Sequence, residues 1–249
     1  MTENKRFFPA ALSDGTLRQV AMVCMLIDHF AWAFLPSGSV PAGILHAFGR
    51  ITAPVICFLL TEGYRHTHSF RKYLTRMMIF AAVSYFPYLF FLWTIAPGSV
   101  SPLSFNMLYT LSLSLAALWT EEHIRERDER ALILALLLFL SLFGDWPIAT
   151  ILFTLNFSKN RSRREKLIRG HLLIAAGFYL FSVWSSFSGG AGLVHALLAN
   201  SFQLGTVLAL PLVLSGNGKK GRVCKPRYFF YWFYPIHLLV LGALRLMIS

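Results

Sequence analysis

Residues 20–34, VAMVCMLIDHFAWAF, are apolar at nearly every position, yet Asp28 and His29 stand side by side near the middle. The meaning of that pair depends on whether the run lies in a membrane, and the composition says that it does. Of 249 residues, 56% are hydrophobic and only 14% are charged, whereas soluble domains carry about 25% charged residues. A hydropathy window of about 19 residues marks apolar stretches near 17–36, 43–63, 73–96, 104–120, 166–187, 192–214 and 228–247. Each is long enough, or nearly so, to cross about 30 Å of hydrocarbon as a helix. A further stretch, 131–157, is broken by Gly144-Asp145-Trp146-Pro147 into pieces too short to cross at about 1.5 Å per residue. It reads as a hairpin that enters and returns. The expected fold is all-α, a polytopic membrane bundle of about 8–9 membrane helices, with 1–249 forming a single domain.

Orientation follows from where Lys and Arg fall. Basic residues gather at Lys5, Arg6 and Arg18, at Arg65–Arg76, at Arg125–Arg130, at Lys159–Arg169 and at Lys219–Arg227, while 37–42, 97–103, 144–147 and 188–191 contain none. Every second loop is basic, which places the N-terminus and the basic loops in the cytoplasm and the C-terminus outside. The net charge of +12 is then a matter of topology and anionic lipid headgroups, with no call for nucleic acid. The opening MTENKRFFPAALSDG lacks an apolar core and a cleavage site, so no cleaved signal peptide is expected. Cys24 and Cys57 fall inside helices and Cys224 in a cytoplasmic loop, and none is expected in a disulfide.

Ionisable groups within a bilayer are costly unless they face a protein interior, which makes them functional candidates by default. Eight of the eleven carboxylates fall in cytoplasmic segments, leaving Asp28, Glu62 and Asp145. Helical rise puts Asp28, His29 and Arg50 at one level, about 10–12 Å below the outer face, with His237 near midplane. Arg18 and Glu62 are level at the inner end. Arg18 and His29, eleven residues apart, share one face of the first helix some 16 Å apart. Neighbouring residues on a helix point about 100° apart, so Asp28 is poorly placed to orient His29 and is the better partner for Arg50. That leaves His29 free as a buried general base. Basic groups at the cytoplasmic entrance suit a phosphate-bearing donor, and the inference is group transfer across a membrane.

Several stretches resemble the TraX family, whose founding type is the membrane acetylase of conjugative F-type pilin. They are AMVCMLIDHF (21–30), GRITAPVICFLLTEGYRHT (49–67), RKYLTR (71–76), SYFPY (84–88), NMLYTL (106–111) and FYWFYPIHLL (230–239). A looser similarity joins the chain to membrane acyltransferases that O-acetylate surface glycans, which carry an Arg and a His with the spacing of Arg18 and His29. These resemblances imply acetyl-CoA as donor, no metal, an acceptor peptide or glycan, and a bacterial cytoplasmic (inner) membrane protein. They imply His29, as base or acyl carrier, with Asp28 and Arg50 as the catalytic group. They also imply Arg18, Glu62, His66 and Arg76 at the donor site, and Asn106, Asp145, Tyr234 and His237 toward the acceptor.

Structural alternatives stand beside these roles. Asp28 and Arg50 can be an ion pair that locks two helices. Glu62 and His66, spaced i, i+4, can pair at a helix end. Asn106 can be an N-cap and Asp145 ordinary turn chemistry. His46, His68, His123, His171 and His195 read as structural or solvated, and the aromatic cluster 228–234 as an interfacial belt. A second functional class, a small proton-coupled transporter using Asp28, His29 and Arg50, calls for broken helices in matched halves. Only one broken segment is evident in the sequence. The topology is tested by reporter fusions: those after Arg76, Arg130, Arg169 and Arg227 should report cytoplasm, and those after Ser39, Ser99 and Gly190 export. A cytoplasmic signal at Gly190 would refute the arrangement.

Overall fold

The computed structural model describes residues 11–98, 100–219, 221 and 228–248. Lys5, Arg6, Ser99, Lys220, Arg222, Cys224, Lys225 and Arg227 lie outside the described residues. The described chain is helical throughout, with only isolated bridges outside the helices. The expected apolar stretches all reappear as helices, and six helical segments are long and apolar enough to cross a membrane. The protein is an all-α polytopic membrane bundle.

The first span is α1 (Asp14–Phe34), started by Ser13, whose hydroxyl accepts from the Thr16 amide at 3.2 Å. The second span is not one helix but two, α2 (Val40–Gly49) and α3 (Thr52–Arg65), with Arg50 and Ile51 between them. The third divides at Ser84 into α4 (Phe70–Val83) and α5 (Tyr85–Ile95). The next-to-last span divides into α10 (Leu193–Ala199), a 3-10 helix (Ser201–Leu208) and α11 (Ala209–Ser215). Proline explains the breaks in the second and third spans and the switch from 3-10 to α11, though not the break at Asn200. It lacks an N–H and its ring crowds the carbonyl four residues earlier, and Pro54, Pro87 and Pro211 stand four residues after Arg50, Val83 and Val207. The sequence reading found only one broken segment, so the structure corrects that count. α9 (Arg164–Ser188) and α12 (Phe229–Ile248) complete the six, and α6 (Met107–His123) is a shorter helix over the expected 104–120 stretch.

Residues 131–157 form the expected hairpin, α7 (Arg127–Ser141) and α8 (Ala149–Lys159). α8 packs on α3 and α6, whereas α7 packs on α6 alone among its principal neighbours. At the centre lies α3, whose residues from Thr52 to Glu62 are all buried against α1, α6, α8 and α11. The periphery exposes large apolar side chains such as Phe86, Leu132, Leu173, Phe181 and Trp184, as a lipid-facing surface requires.

Small residues set the closest approaches. A Cβ on Gly205 would fall onto the backbone carbonyl of Ala47, so this glycine lets the 3-10 helix lie directly on α2. Gly205→Ala should lower the unfolding temperature in detergent by the equivalent of about 1–3 kcal/mol. Gly177→Ala, in α9 with open space around the new methyl, should leave it unchanged or raise it. Equal effects from the two substitutions would contradict the packing.

Candidate functional site

The paired residues of the opening run serve two different neighbours. Asp28 turns toward α2, where its Oδ1 accepts from His46 Nδ1 at 2.8 Å and its Oδ2 from Arg50 Nη2 at 3.3 Å. Gly49 makes the approach possible, since a Cβ there would coincide with the Asp28 side chain. The Arg50 guanidinium is held between the rings of Trp146 and Phe202, 5.1 Å from each centroid. Three charged or polar side chains are thus fixed at the interruption of the second span. His46, read from the sequence as structural or solvated, is the third member, and its i, i+4 spacing from Arg50 was the available signal.

His29 turns the other way, toward α5 and α12. Its ring packs edge-on against Phe91 at 5.3 Å and His237 at 4.9 Å between centroids. Nδ1 lies 2.8 Å from the Met25 carbonyl oxygen. A carbonyl can only accept, so Nδ1 carries the proton and Nε2 holds the lone pair. The tautomer follows from the partners.

His29 lines a cavity of about 260 Å³ shared by α1, α5, α12, the start of α3 and the hairpin turn. Its polar lining is Asp28, His29, Tyr88, Asp145 and Tyr234, together with Thr52. Met25, Trp32 and Ile95 also line it, so it extends from mid-helix toward the ends of α1 and α5 that carry no basic loop. Tyr234 is anchored by its hydroxyl, which accepts from the Met107 amide at 3.4 Å.

Asp145 reaches this cavity from a strained turn. Trp146 at φ 55° and Ile148 at φ 60° both occupy left-handed backbone on either side of Pro147, a conformation costing about 1–3 kcal/mol per residue. The turn is held in place by Phe105, whose amide donates to Phe143 O at 2.8 Å and whose carbonyl accepts from the Asp145 amide at 2.9 Å. Ser141 Oγ accepts from the Ile148 amide at 2.9 Å. Trp146 stacks on Phe178, nearly parallel at 5.0 Å.

Two residues expected at the acceptor lie behind the cavity wall. Asn106 is the N-cap of α6: its Oδ1 accepts from the amides of Leu108 and Tyr109 at 3.0 and 3.3 Å, and its Nδ2 donates to Ala81 O at 2.7 Å. With the side chain fully engaged, the capping alternative is the one the structure displays. His237 stands against His29, with Nε2 3.3 Å from His29 Nδ1.

The end that carries the basic loops holds a second polar group. Glu62 is 1% exposed, and its Oε1 accepts from Arg161 Nη1, while Oε2 has no hydrogen-bond partner among the described residues. The spacing had suggested His66 as its partner, but His66 is exposed at the C-cap of α3. Arg161 comes from the α8–α9 loop, one of the basic loops whose charge the sequence reading assigned to topology and lipid headgroups. Arg18 lies over the Phe230 ring at 5.4 Å. Arg76 donates from Nε to Tyr231 Oη at 3.2 Å and lies over the rings of Tyr73 and Tyr231. Rings assigned to an interfacial belt therefore hold two of the expected donor-site cations. Among the described residues no cluster of three or more His, Cys, Asp or Glu could hold a metal ion.

Fold and site together define a polytopic helical membrane protein with a polar centre buried where its first, second and last spans meet the tip of a hairpin. Residues 13–245 match the family described as TraX protein, and the chain belongs to the TraX family. It is 30% identical over 240 residues to a protein of Dichelobacter nodosus named probable fimbrial assembly protein FimC, serogroup H1, covering 94% of this chain and 96% of that one. No solved structure matches the chain.

The Asp28 cluster makes a stability prediction. Asp28→Ala leaves the Arg50 guanidinium buried without its counter-charge, which should cost about 3–5 kcal/mol in thermal unfolding in detergent. Combining Asp28→Ala with Arg50→Met should recover much of the loss. A double variant no more stable than the single one would show that the pair is uncoupled.

Proposed function

We propose that this protein is an integral acetyltransferase of the bacterial cytoplasmic membrane. It passes an acetyl group from cytoplasmic acetyl-CoA to an amine or hydroxyl acceptor presented from the other face. The observation that carries the reading is the His29 ring, hydrogen-bonded through Nδ1 to the Met25 carbonyl oxygen so that Nε2 keeps its lone pair, lining a cavity together with Asp145. As the acceptor nitrogen or oxygen attacks the thioester carbonyl, its proton passes to His29 Nε2. The thiolate of coenzyme A leaves and takes that proton back. Asp145 offers a carboxylate to an acceptor amine, and the Asp28, His46 and Arg50 cluster keeps α1 fixed against α2 beside the reacting groups.

The donor reading rests on the opposite end. Arg18 and Arg76, each laid on aromatic rings, offer charge for phosphates beside ring faces for an adenine. Glu62 holds Arg161 at the same mouth, and His66 stands exposed at its rim. A phosphate-rich donor cannot cross hydrocarbon, but its extended thiol arm can bridge the roughly 16 Å between Arg18 and His29. The printed name of the Dichelobacter relative supports a pilus subunit as acceptor, and an extracytoplasmic glycan is the other class. The interrupted second, third and next-to-last spans remove the earlier argument against a proton-coupled carrier, so a product assay has to separate the two readings.

Purified protein given labelled acetyl-CoA and a pilus-subunit peptide or glycan should yield acetylated acceptor, which a carrier would not make. His29→Ala should lower the rate by about 10²–10⁴-fold while the protein stays folded and membrane-inserted. Undiminished product from that variant would overturn the assignment of His29.

A further inference from the structure

Among the described residues no carboxylate is hydrogen-bonded to His29. Both oxygens of Asp28 are occupied by His46 and Arg50. Asp145 lines the cavity and makes no hydrogen bond to His29 among the described residues. A general base needs a partner on its second nitrogen to fix the tautomer and steady the imidazolium that forms, and a carboxylate is the usual choice. Here that place is shared by the Met25 carbonyl and another imidazole.

The hydrogen bonds fix the roles of all four ring nitrogens. His237 Nδ1 lies 2.8 Å from the Phe233 carbonyl oxygen, so it carries the proton and His237 Nε2 is left with a lone pair. That lone pair is 3.3 Å from His29 Nδ1, whose proton is shared between it and the Met25 carbonyl. The His237 ring cannot readily turn away, because it is stacked on Phe233 at 4.8 Å with planes 12° apart, packs against Tyr234 at 5.7 Å, and is 6% exposed. α12 therefore presents a fixed, neutral acceptor to the back of the His29 ring.

We propose that His237 is the positioning residue of His29: it accepts the Nδ1 hydrogen bond in the place of a carboxylate and keeps Nε2 as the nitrogen that works in the cavity. The inference rests on the reading of His29 as the base. When His29 gains a proton on Nε2, its Nδ1–H becomes a stronger donor and the bond to His237 tightens, with no net charge added to the apolar interior beyond the proton itself. A carboxylate in this position would be a third buried acid beside Asp28 and Asp145, with no further cation at the cavity to balance it. A neutral ring supplies the orientation without that desolvation cost.

The test uses two variants and two readouts. His237→Leu removes the acceptor and should lower kcat by roughly tenfold or more, part of what a general base supplies, with the KM for acetyl-CoA unchanged. His237→Gln can set its side-chain oxygen where Nε2 stood and should recover most of the lost kcat. In full-length protein labelled with 15N-histidine in micelles, nuclear magnetic resonance should show a coupling through the hydrogen bond between His29 Nδ1 and His237 Nε2. A His237→Leu enzyme with unchanged kcat, a His237→Gln enzyme no better than it, or absence of the coupling would each overturn the proposal. Coupling in a protein that transfers no acetyl group would support the pair and defeat the acetyltransferase reading instead.

Discussion

A carboxylate that sits in hydrocarbon has to be neutralised where it stands, because its solvation by water has been given up. Asp28 imposes that condition here, and much of the bundle can be traced to it. Arg50 and His46 have to reach it from α2, so position 49 must be a glycine to admit the Asp28 side chain. The guanidinium then needs flat, polarisable surfaces on its two faces, and Trp146 from the hairpin turn and Phe202 from the 3-10 helix supply them. One ionic contact thus ties together the first span, the second span, the hairpin and the next-to-last span. Buried ion pairs contribute little net stability compared with apolar replacements and are better at specifying one arrangement over others. In a bundle whose other contacts are largely apolar and interchangeable, that specificity decides how the helices are registered.

The sequence showed the coarse architecture well because length and hydropathy act independently of tertiary context. The membrane spans, the hairpin at 131–157 and the pairing of Asp28 with Arg50 were all legible from spacing and depth. The interruptions were less so. Pro54, Pro87 and Pro211 were visible, but a proline in a membrane helix is tolerated when neighbours satisfy the freed carbonyl, and Pro235 does lie inside an unbroken α12. Only the packing tells the cases apart. His46 was passed over because a histidine near a span end has many ordinary explanations, and Arg161 because its partner Glu62 is 99 positions away.

The two ends of the molecule use charge differently. At the cavity end, each ionised group has a defined partner or faces the cavity. At the basic-loop end, cations lie on aromatic faces, and the buried Glu62 keeps one oxygen without a partner among the described residues. An arrangement with spare hydrogen-bonding capacity suits recognition of something that arrives from outside the chain, whereas a saturated one suits holding a shape. The segment before α1 adds to the contrast. Leu12 and Asp14 pair through their backbones with Ser215, Asn217 and Lys219, which draws the loop after α11 over the same mouth.

The polar centre is also discontinuous along the chain to an unusual degree, with Asp28 and His29 from the first span and Tyr234 and His237 from the last. During synthesis the N-terminal helices emerge first, and α1 has to wait for almost the entire remainder of the polypeptide before α12 docks beside it. Until then His29 has no wall on that side. A ribosome that stalls, or a chain cut short before α12, leaves a bundle that can satisfy its ion pair yet holds an open, unfinished chamber. The chamber is thereby closed only once α12 has docked.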